Sequence, residues 1–379
     1  MIRVLKSFAA KLWLALILLI ILGGTFIGTT RLLLPIATEY RLEVQELVSR
    51  ALGQKVEIEQ LTTSWRGYGP ELVLGNVLLI DPETGLPSLR VSEVHIGIGL
   101  LDSLRNRSII PRQITFYRTR MLIKRRSDGA VVLAGLEGME HSSGDSSATF
   151  LLPFRISLKQ SEIFWENQSI GAAPVRFTDV DFTITNGKKR HQIEASMRLP
   201  GEGGGNMQLR ADIYGNIQEP EAWSGQVYLT GDQLAMSTIL RDRMPEGSAF
   251  KTGQASMELW SSWDKGRITK LQGQAHFQDL KLISDRQVNN KPINPLVMQR
   301  LGGRFEWQRS ETGWQLDVAD IEFQRDGHSW PSSSLSPVSG SDQNGPTQLS
   351  SGMKFVRLKD LLAIIGMFPL PSSELDQAL

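Results

Sequence analysis

The first residues to test for chemistry are the five histidines, His95, His141, His191, His276 and His328. None lies within four positions of another, so a helical H-E-x-x-H metal pair is absent. His95, His191 and His276 fall in or at the start of expected strands and read as solvent-facing strand residues. Asp179 and Asp181 flank Val180, an alternation that points both carboxylates to one face; a solvated strand face is the plainer reading than a metal or acid pair. Arg118, Arg120, Lys124, Arg125 and Arg126 make a basic run of the kind that meets phosphate headgroups; the polar side of a strand pair is the plainer reading. The glycines of Gly201–Asn206 join two strands with no helix after them, so they form a hairpin loop and not a phosphate cradle. There is no G-x-S-x-G elbow and no P-loop. Tryptophans such as Trp165, Trp307 and Trp314 read as packing residues. No catalytic residue, metal ligand or cofactor site follows from these patterns.

Composition narrows the classes further. The 379 residues include 41 Lys plus Arg against 40 Asp plus Glu, and no cysteine. The charge balance argues against a nucleic-acid partner. The missing cysteine excludes disulfide scaffolds, thiol catalysis and Cys-ligated metal centres.

The elements that carry these residues come in two kinds. Lys11 and Arg31 bracket an uncharged run, LWLALILLIILGGTFIGTT, about 28 Å long as a helix and close to the ~30 Å hydrocarbon core. Arg3, Lys6 and Lys11 precede it, which places the amino terminus in the cytoplasm and the rest across the membrane. The run reads as an uncleaved signal anchor, with Leu12, Leu16, Leu19, Leu22 and Phe26 facing lipid. Pro35 to Leu52 reads as an amphipathic helix closed by Gly53.

After Gly53 the apolar period changes from 3.6 to 2. Val56 and Ile58, Val94 to Leu100, Val180 to Ile184, Met207 to Ile213 and Leu316 to Phe323 are among more than a dozen short alternating runs, the pattern of half-buried antiparallel strands. Turns are expected at Asp128-Gly129 and Asn186-Gly187. Short helices are expected at Leu100–Arg105, Asp232–Arg241 and Val356–Ile365, and loops at Glu140–Thr149 and Ser329–Gly352. Two or three short helices cannot cover so many apolar strand faces. The sheet must close on itself, as a sandwich or barrel, or meet something that is not protein.

Three segments carry a resemblance: ALGQKVEIEQLTTSWRGYGPELVLGNVLLIDPETG, LRVSEVHIGIGLLDSLRNRSIIPRQITFYRTRMLIKRRSDGAVVLAGL and GRFEWQRSETGWQLDVADIEFQRDGHSWP. In this wording and order, behind a basic end and a signal anchor, the chain resembles the AsmA-like proteins of Gram-negative bacteria, YhdP type. The resemblance runs the length of the chain and is strongest from Ala51 to Leu136. It implies an all-β fold: one transmembrane helix, then an elongated, strongly curved antiparallel groove with a few short helices. It also implies a single-pass inner-membrane protein whose bulk is periplasmic and which is not an enzyme. Phospholipids, the inner membrane and proteins of either membrane would be its partners.

The groove would be lined by Ile114, Phe116, Ile156, Leu158, Phe182, Ile184, Ile193, Met197, Leu209, Leu229, Leu259, Phe277, Phe305, Leu316 and Phe323. The expected organisation is a stub and anchor (1–30), an AsmA-like region (31–140), a loop (141–149), a groove continuation (150–328), a Ser/Pro-rich loop (329–352) and a helical segment (353–379). Proteins of this type are much longer. The sequence stops where Ser372 or Ser373 would cap a new helix, so the expectation is the amino-terminal part of a longer protein. The competing expectation is an anchored envelope scaffold whose apolar faces close on each other.

Overall fold

In a computed structural model the chain is a mainly antiparallel all-β protein with few helices. The structure describes most of residues 39–367. Outside the described residues lie chiefly 81–86, 135–154, 342–351, 368–379 and most of 1–38. The expected lipid-facing anchor residues Leu12, Leu16, Leu19, Leu22 and Phe26, His141, the loop at 140–149 and the helix after Ser372 all lie outside them. In the anchor run the described residues Ile17, Leu18, Ile21, Gly24, Thr25 and Gly28 are helical, and Thr25 Oγ1 donates to the Ile21 carbonyl at 2.8 Å. Among the described residues, no helix is long and apolar enough to cross a membrane.

The chain divides into two units. Unit 1 takes in residues 1–119 and 134–156, and unit 2 residues 120–133 and 157–379. In unit 1, α1 (Arg41–Leu52) ends at Gly53 with φ 64°, as the sequence implies. The strands β1 (Val56–Arg66), β2 (Gly69–Ile80), β3 (Pro87–Ile98) and β4 (Pro111–Tyr117) follow as an antiparallel meander, with α2 (Leu100–Asn106) between the last two.

Unit 2 begins with β5 (Arg120–Arg125) and β6 (Val131–Leu133), joined at Asp128-Gly129. Next come β7 (Arg155–Asn167), β8 (Val175–Asn186), β9 (Arg190–Arg198), β10 (Asn206–Tyr214) and β11 (Ser224–Ala235). A four-residue helix α3 (Met236–Ile239) precedes β12 (Ser248–Asp264) and β13 (Arg267–Ser284). The small hairpin β14 (Gln287–Val288) and β15 (Lys291–Pro292) stands apart from the main sheet. Then follow β16 (Leu296–Ser310), β17 (Gly313–Arg325), β18 (His328–Ser329), β19 (Ser333–Ser341) and α4 (Leu358–Gly366). From β8 to β17 each long strand pairs antiparallel with the next. Among the described pairings of unit 2, β6 and β19 do not meet, so its sheet stays open.

Three local expectations are corrected. The expected helix at Asp232–Arg241 is shortened to Met236–Ile239, because β11 runs on to Ala235. The segment read as a Ser/Pro-rich loop at 329–352 carries β19, which pairs with β17. Its serines hid the pattern, since a strand at a sheet edge needs no apolar alternation. The sheet is not purely antiparallel, because β5 pairs parallel with β7, Met121 opposite Ile163 and Ile123 opposite Trp165.

One backbone device recurs. Asn76, Gln160, Asp179, Gln233, Asp279 and Asp320 lie inside strands, and Arg118 lies between β4 and β5, all with φ between 49° and 52°. Asn and Asp tolerate this left-handed conformation better than other non-glycine residues. At each position the inward parity of the chain switches, and at Asp179, Gln233, Asp279 and Asp320 the pairing register shifts as well, which makes these four β-bulges. In β13 the inward residues Leu271, Gly273, Ala275 and Phe277 are odd, and Leu280 and Leu282 beyond Asp279 are even. The residue after the special one is buried at Val77, Thr119, Ser161, Val180, Leu234 and Leu280. Bulges bend a strand and raise its twist, so their repetition curves the sheet within each unit.

Candidate functional site

The bulges divide the inward face of unit 2 into two regions. On one side Leu199, Leu234, Met236, Ala255, Leu280, Leu282, Leu296, Met298, Phe323 and Met367 form a closed core. Helix α3 and the end of α4 pack there. Asp360 anchors α4 from a buried position: Trp330 Nε1 donates to its Oδ2 at 2.9 Å, Arg325 Nη1 to its Oδ1 at 3.5 Å, and Trp330 stacks on Phe323 at 4.5 Å.

On the other side no described helix covers the face. The register lays down an apolar row across eight strands: Phe182, Ala195, Leu209, Leu229, Leu259, Gly273, Phe305 and Val318, each directly opposite the next. A second row runs Ile184, Ile193, Ala211, Val227, Ser261, Leu271, Trp307, Leu316. Except for the buried Ala211, these residues are half-buried. They shield one another edge to edge and lack a covering layer among the described residues.

Gly273 has a packing reason. A Cβ there would collide with the Glu258 carbonyl and the Leu259 backbone, so the row narrows at that point and β12 and β13 stay close.

The expected lining residues fall into four places. Phe182, Ile184, Ile193, Leu209, Leu229, Leu259, Phe305 and Leu316 lie in the two rows. Met197 and Phe277 pack partly buried against the closed core, and Phe323 lies inside it. Leu158 is buried and Ile156 half-buried on β7. In unit 1 Ile114 and Phe116 extend the rows Leu72–Ile96–Ile114 and Leu74–Val94–Phe116. Val227, Leu271, Trp307 and Val318 belong to the open rows but were not singled out from the sequence. Their signal was the alternation itself, read through the bulges.

The polar face accounts for the remaining candidates. Asp179 and Asp181 do not act as a pair. The bulge separates them, so Asp179 meets Arg198 at 3.4 Å while Asp181 accepts from the Gln160 backbone N–H at 2.8 Å and from Lys159 Nζ at 3.2 Å. Three members of the basic run form ion pairs: Arg118 with Glu93, Arg120 with Glu162 and Arg126 with Asp128. Arg190 grips Asp212 with two hydrogen bonds, at 2.8 and 2.6 Å, which hold that carboxyl below its ordinary range. Behind Arg210, Tyr228, Trp260 and Gln272 the same polar face has a shallow cleft of about 520 Å³.

His95 and His191 are buried, at 7% and 6% exposure, which corrects the solvent-facing expectation. His191 lies 3.1 Å from Asn186 Oδ1 and 3.3 Å from the Gly215 carbonyl. His95 sits between two carboxylates, Nδ1 at 3.1 Å from Glu71 and Nε2 at 2.5 Å from Glu93. Ser64 and Arg66 also reach Glu71, and Arg66 donates to the Tyr117 hydroxyl at 3.0 Å. The network ties β1, β2, β3 and β4 together on one face.

A curved, open, all-β sheet with polar groups tied down on one face and a continuous apolar surface on the other defines a protein built to present that surface. The chain belongs to the YhdP family, whose family profile, described as YhdP protein, matches residues 1–379. It is 25% identical over 320 residues to the Intermembrane phospholipid transporter YhdP of Escherichia coli (strain K12). That alignment covers 84% of this chain and 24% of the relative, so the chain spans about a quarter of that protein's length. No solved structure matches it.

Proposed function

We propose that this chain is an inner-membrane-anchored, periplasmic lipid-conduit module. Its amino terminus would be cytoplasmic, and phospholipid acyl chains would slide along the open apolar rows while headgroups stay in water. The observation that carries this reading is the unbroken row from Phe182 to Val318 without a described covering layer. The relative named as an intermembrane phospholipid transporter supports it.

The physics is partition. Each methylene kept out of water is worth ~0.8 kcal/mol, so an acyl chain crossing bare water faces a barrier of about 10 kcal/mol or more. A continuous apolar track removes most of that barrier, makes no bond and needs no point-like ligand site. Lipid would move between the inner and outer membranes, with this chain forming one stretch of the path.

The test is a photoactivatable phospholipid added to the anchored protein. The reading expects crosslinks along the two rows, lost in Leu209→Asp when the fold is retained. Unchanged crosslinking and lipid transfer in a folded Leu209→Asp protein would overturn it.

A further inference from the structure

We infer that α2 and the arginines around it form a surface that docks onto a bilayer bearing anionic phospholipid headgroups. This rests on the reading that the amino-terminal apolar run sits in a membrane.

Leu101 and Leu104 are 83% and 69% exposed, the two most exposed large apolar side chains among the described residues. Three positions apart on a helix, they share one side of it. Leaving two leucines in water wastes burial that a bilayer interface supplies.

The surrounding charge is mainly positive. Between Ile98 and Arg112 the only acid is Asp102, against Arg105, Arg107 and Arg112. Arg105 and Arg107 are exposed and have no ion-pair partner among the described residues. Arg66, Arg112 and Arg155, with the acids Glu71 and Asp102, line a cavity of about 730 Å³ beside α2, together with Pro70, Ile98 and Leu100. Exposed leucines flanked by the exposed Arg105 and Arg107 are the chemistry of anionic membrane surfaces, which attract basic residues next to an apolar anchor.

The connectivity of unit 1 puts this surface at the membrane end. Ser49 Oγ accepts from the Val56 N–H and Gln45 Oε1 from the Ile58 N–H, so α1 and β1 run antiparallel. The amino end of α1, reached from the apolar run through residues 31–40, therefore points along β1 toward Arg66. Arg66 pairs with Gly69, Gly97 pairs with Glu71, and Ile98 leads into α2. The amino end of α1 and helix α2 thus face the same end of β1.

The chain has no cysteine, so single nitroxide labels report without background. The full chain is reconstituted in nanodiscs of phosphatidylcholine alone or mixed with phosphatidylglycerol. Labels are placed through Leu101→Cys, Leu104→Cys and, as a solvent control, Lys265→Cys. We expect positions 101 and 104 to lose most of their accessibility to a water-soluble nickel relaxant in the anionic discs but not in the neutral ones. Arg105→Glu with Arg107→Glu restores that accessibility, and position 265 stays unchanged throughout. Accessibility at 101 and 104 equal to that at 265 in anionic discs overturns the inference, as does equal shielding in both lipids or shielding that survives the double charge reversal. Photocrosslinking at the Leu209 row, run on the same samples, separates the two readings. Crosslinks kept while position 101 stays in water sink the docking surface alone. Crosslinks absent while position 101 is immersed sink the conduit alone.

Discussion

Asn76 holds φ 50° in the middle of a strand, and its Nδ2 donates to Glu59 Oε2 on the neighbouring strand at 2.6 Å. The left-handed backbone turns Val77 into the core, and the side-chain bond ties this position to its neighbour on the polar face. Left-handed residues are tied in the same way at Arg118 with Glu93, Asp179 with Arg198 and Asp320 with Arg304, and at Asp279 through its carbonyl, which accepts from Thr252 Oγ1. Curvature is thus written residue by residue, one bulge at a time.

The bulge at Asp320 is open to direct test. Asp320→Val forces a β-branched residue into the left-handed region, and denaturant melts should show a loss of about 1–3 kcal/mol. Asp320→Asn keeps the tolerated backbone and weakens only an exposed ion pair, so its loss should stay below about 1 kcal/mol. Equal losses in the two variants would show that the backbone conformation is not the cause.

The two faces of β10 differ in what a charge does. Gln208→Asp adds charge to the exposed face and should leave lipid photocrosslinking at wild-type level. Leu209→Asp, one residue on, should abolish crosslinks at its own position and reduce those at Leu229 and Leu259 in the same row. Circular dichroism on both proteins checks that the sheet survives.

Acid should weaken unit 1 through Glu93. Its carboxyl is held below the usual carboxylate range, first by the hydrogen bond with His95 and then by Arg118. A carboxylate whose folded pKa is depressed adds stability that is fully present above its unfolded pKa and is lost as pH falls through the folded value. Stability followed by urea melts should therefore drop below about pH 4.3, the ordinary Glu value. His95→Gln should flatten that drop. It should also cost about 3 kcal/mol at neutral pH, because Glu71 is left buried with one fewer partner.

Asp360 should be the most sensitive polar residue of the closed core. Asp360→Ala leaves the Trp330 indole N–H and the Arg325 guanidinium without their buried acceptor, a loss of about 2–4 kcal/mol. Limited proteolysis should then cut near α4 before it cuts the strands.

Much of the fold was legible in the residues. Period-two alternation gave the strands from Val56 to Phe323, Gly53 the end of α1, and Asn186-Gly187 the β8–β9 hairpin, where the Gly187 N–H donates to the Arg190 carbonyl at 2.7 Å. The bulges leave a trace in the residues that period-two alternation alone passes over. Phe177 to Val180, Phe277 to Leu280 and Val318 to Ile321 are three-residue steps in a two-residue pattern, each with an Asp before the second apolar residue.

These features are local, because alternation, caps and left-handed positions follow from the backbone geometry of a few neighbouring residues. What only the tertiary structure decided was non-local. It paired β5 parallel with β7, drew the serine-rich β19 onto β17, buried His95 between Glu71 and Glu93, and separated Asp179 from Asp181. Above all it divided apolar residues of one pattern into a core closed by α3 and α4 and the open rows through Leu209 and Leu229. Alternation says that a strand has an apolar face. Whether that face is covered depends on elements far away in the chain, which the spacing of neighbours does not encode.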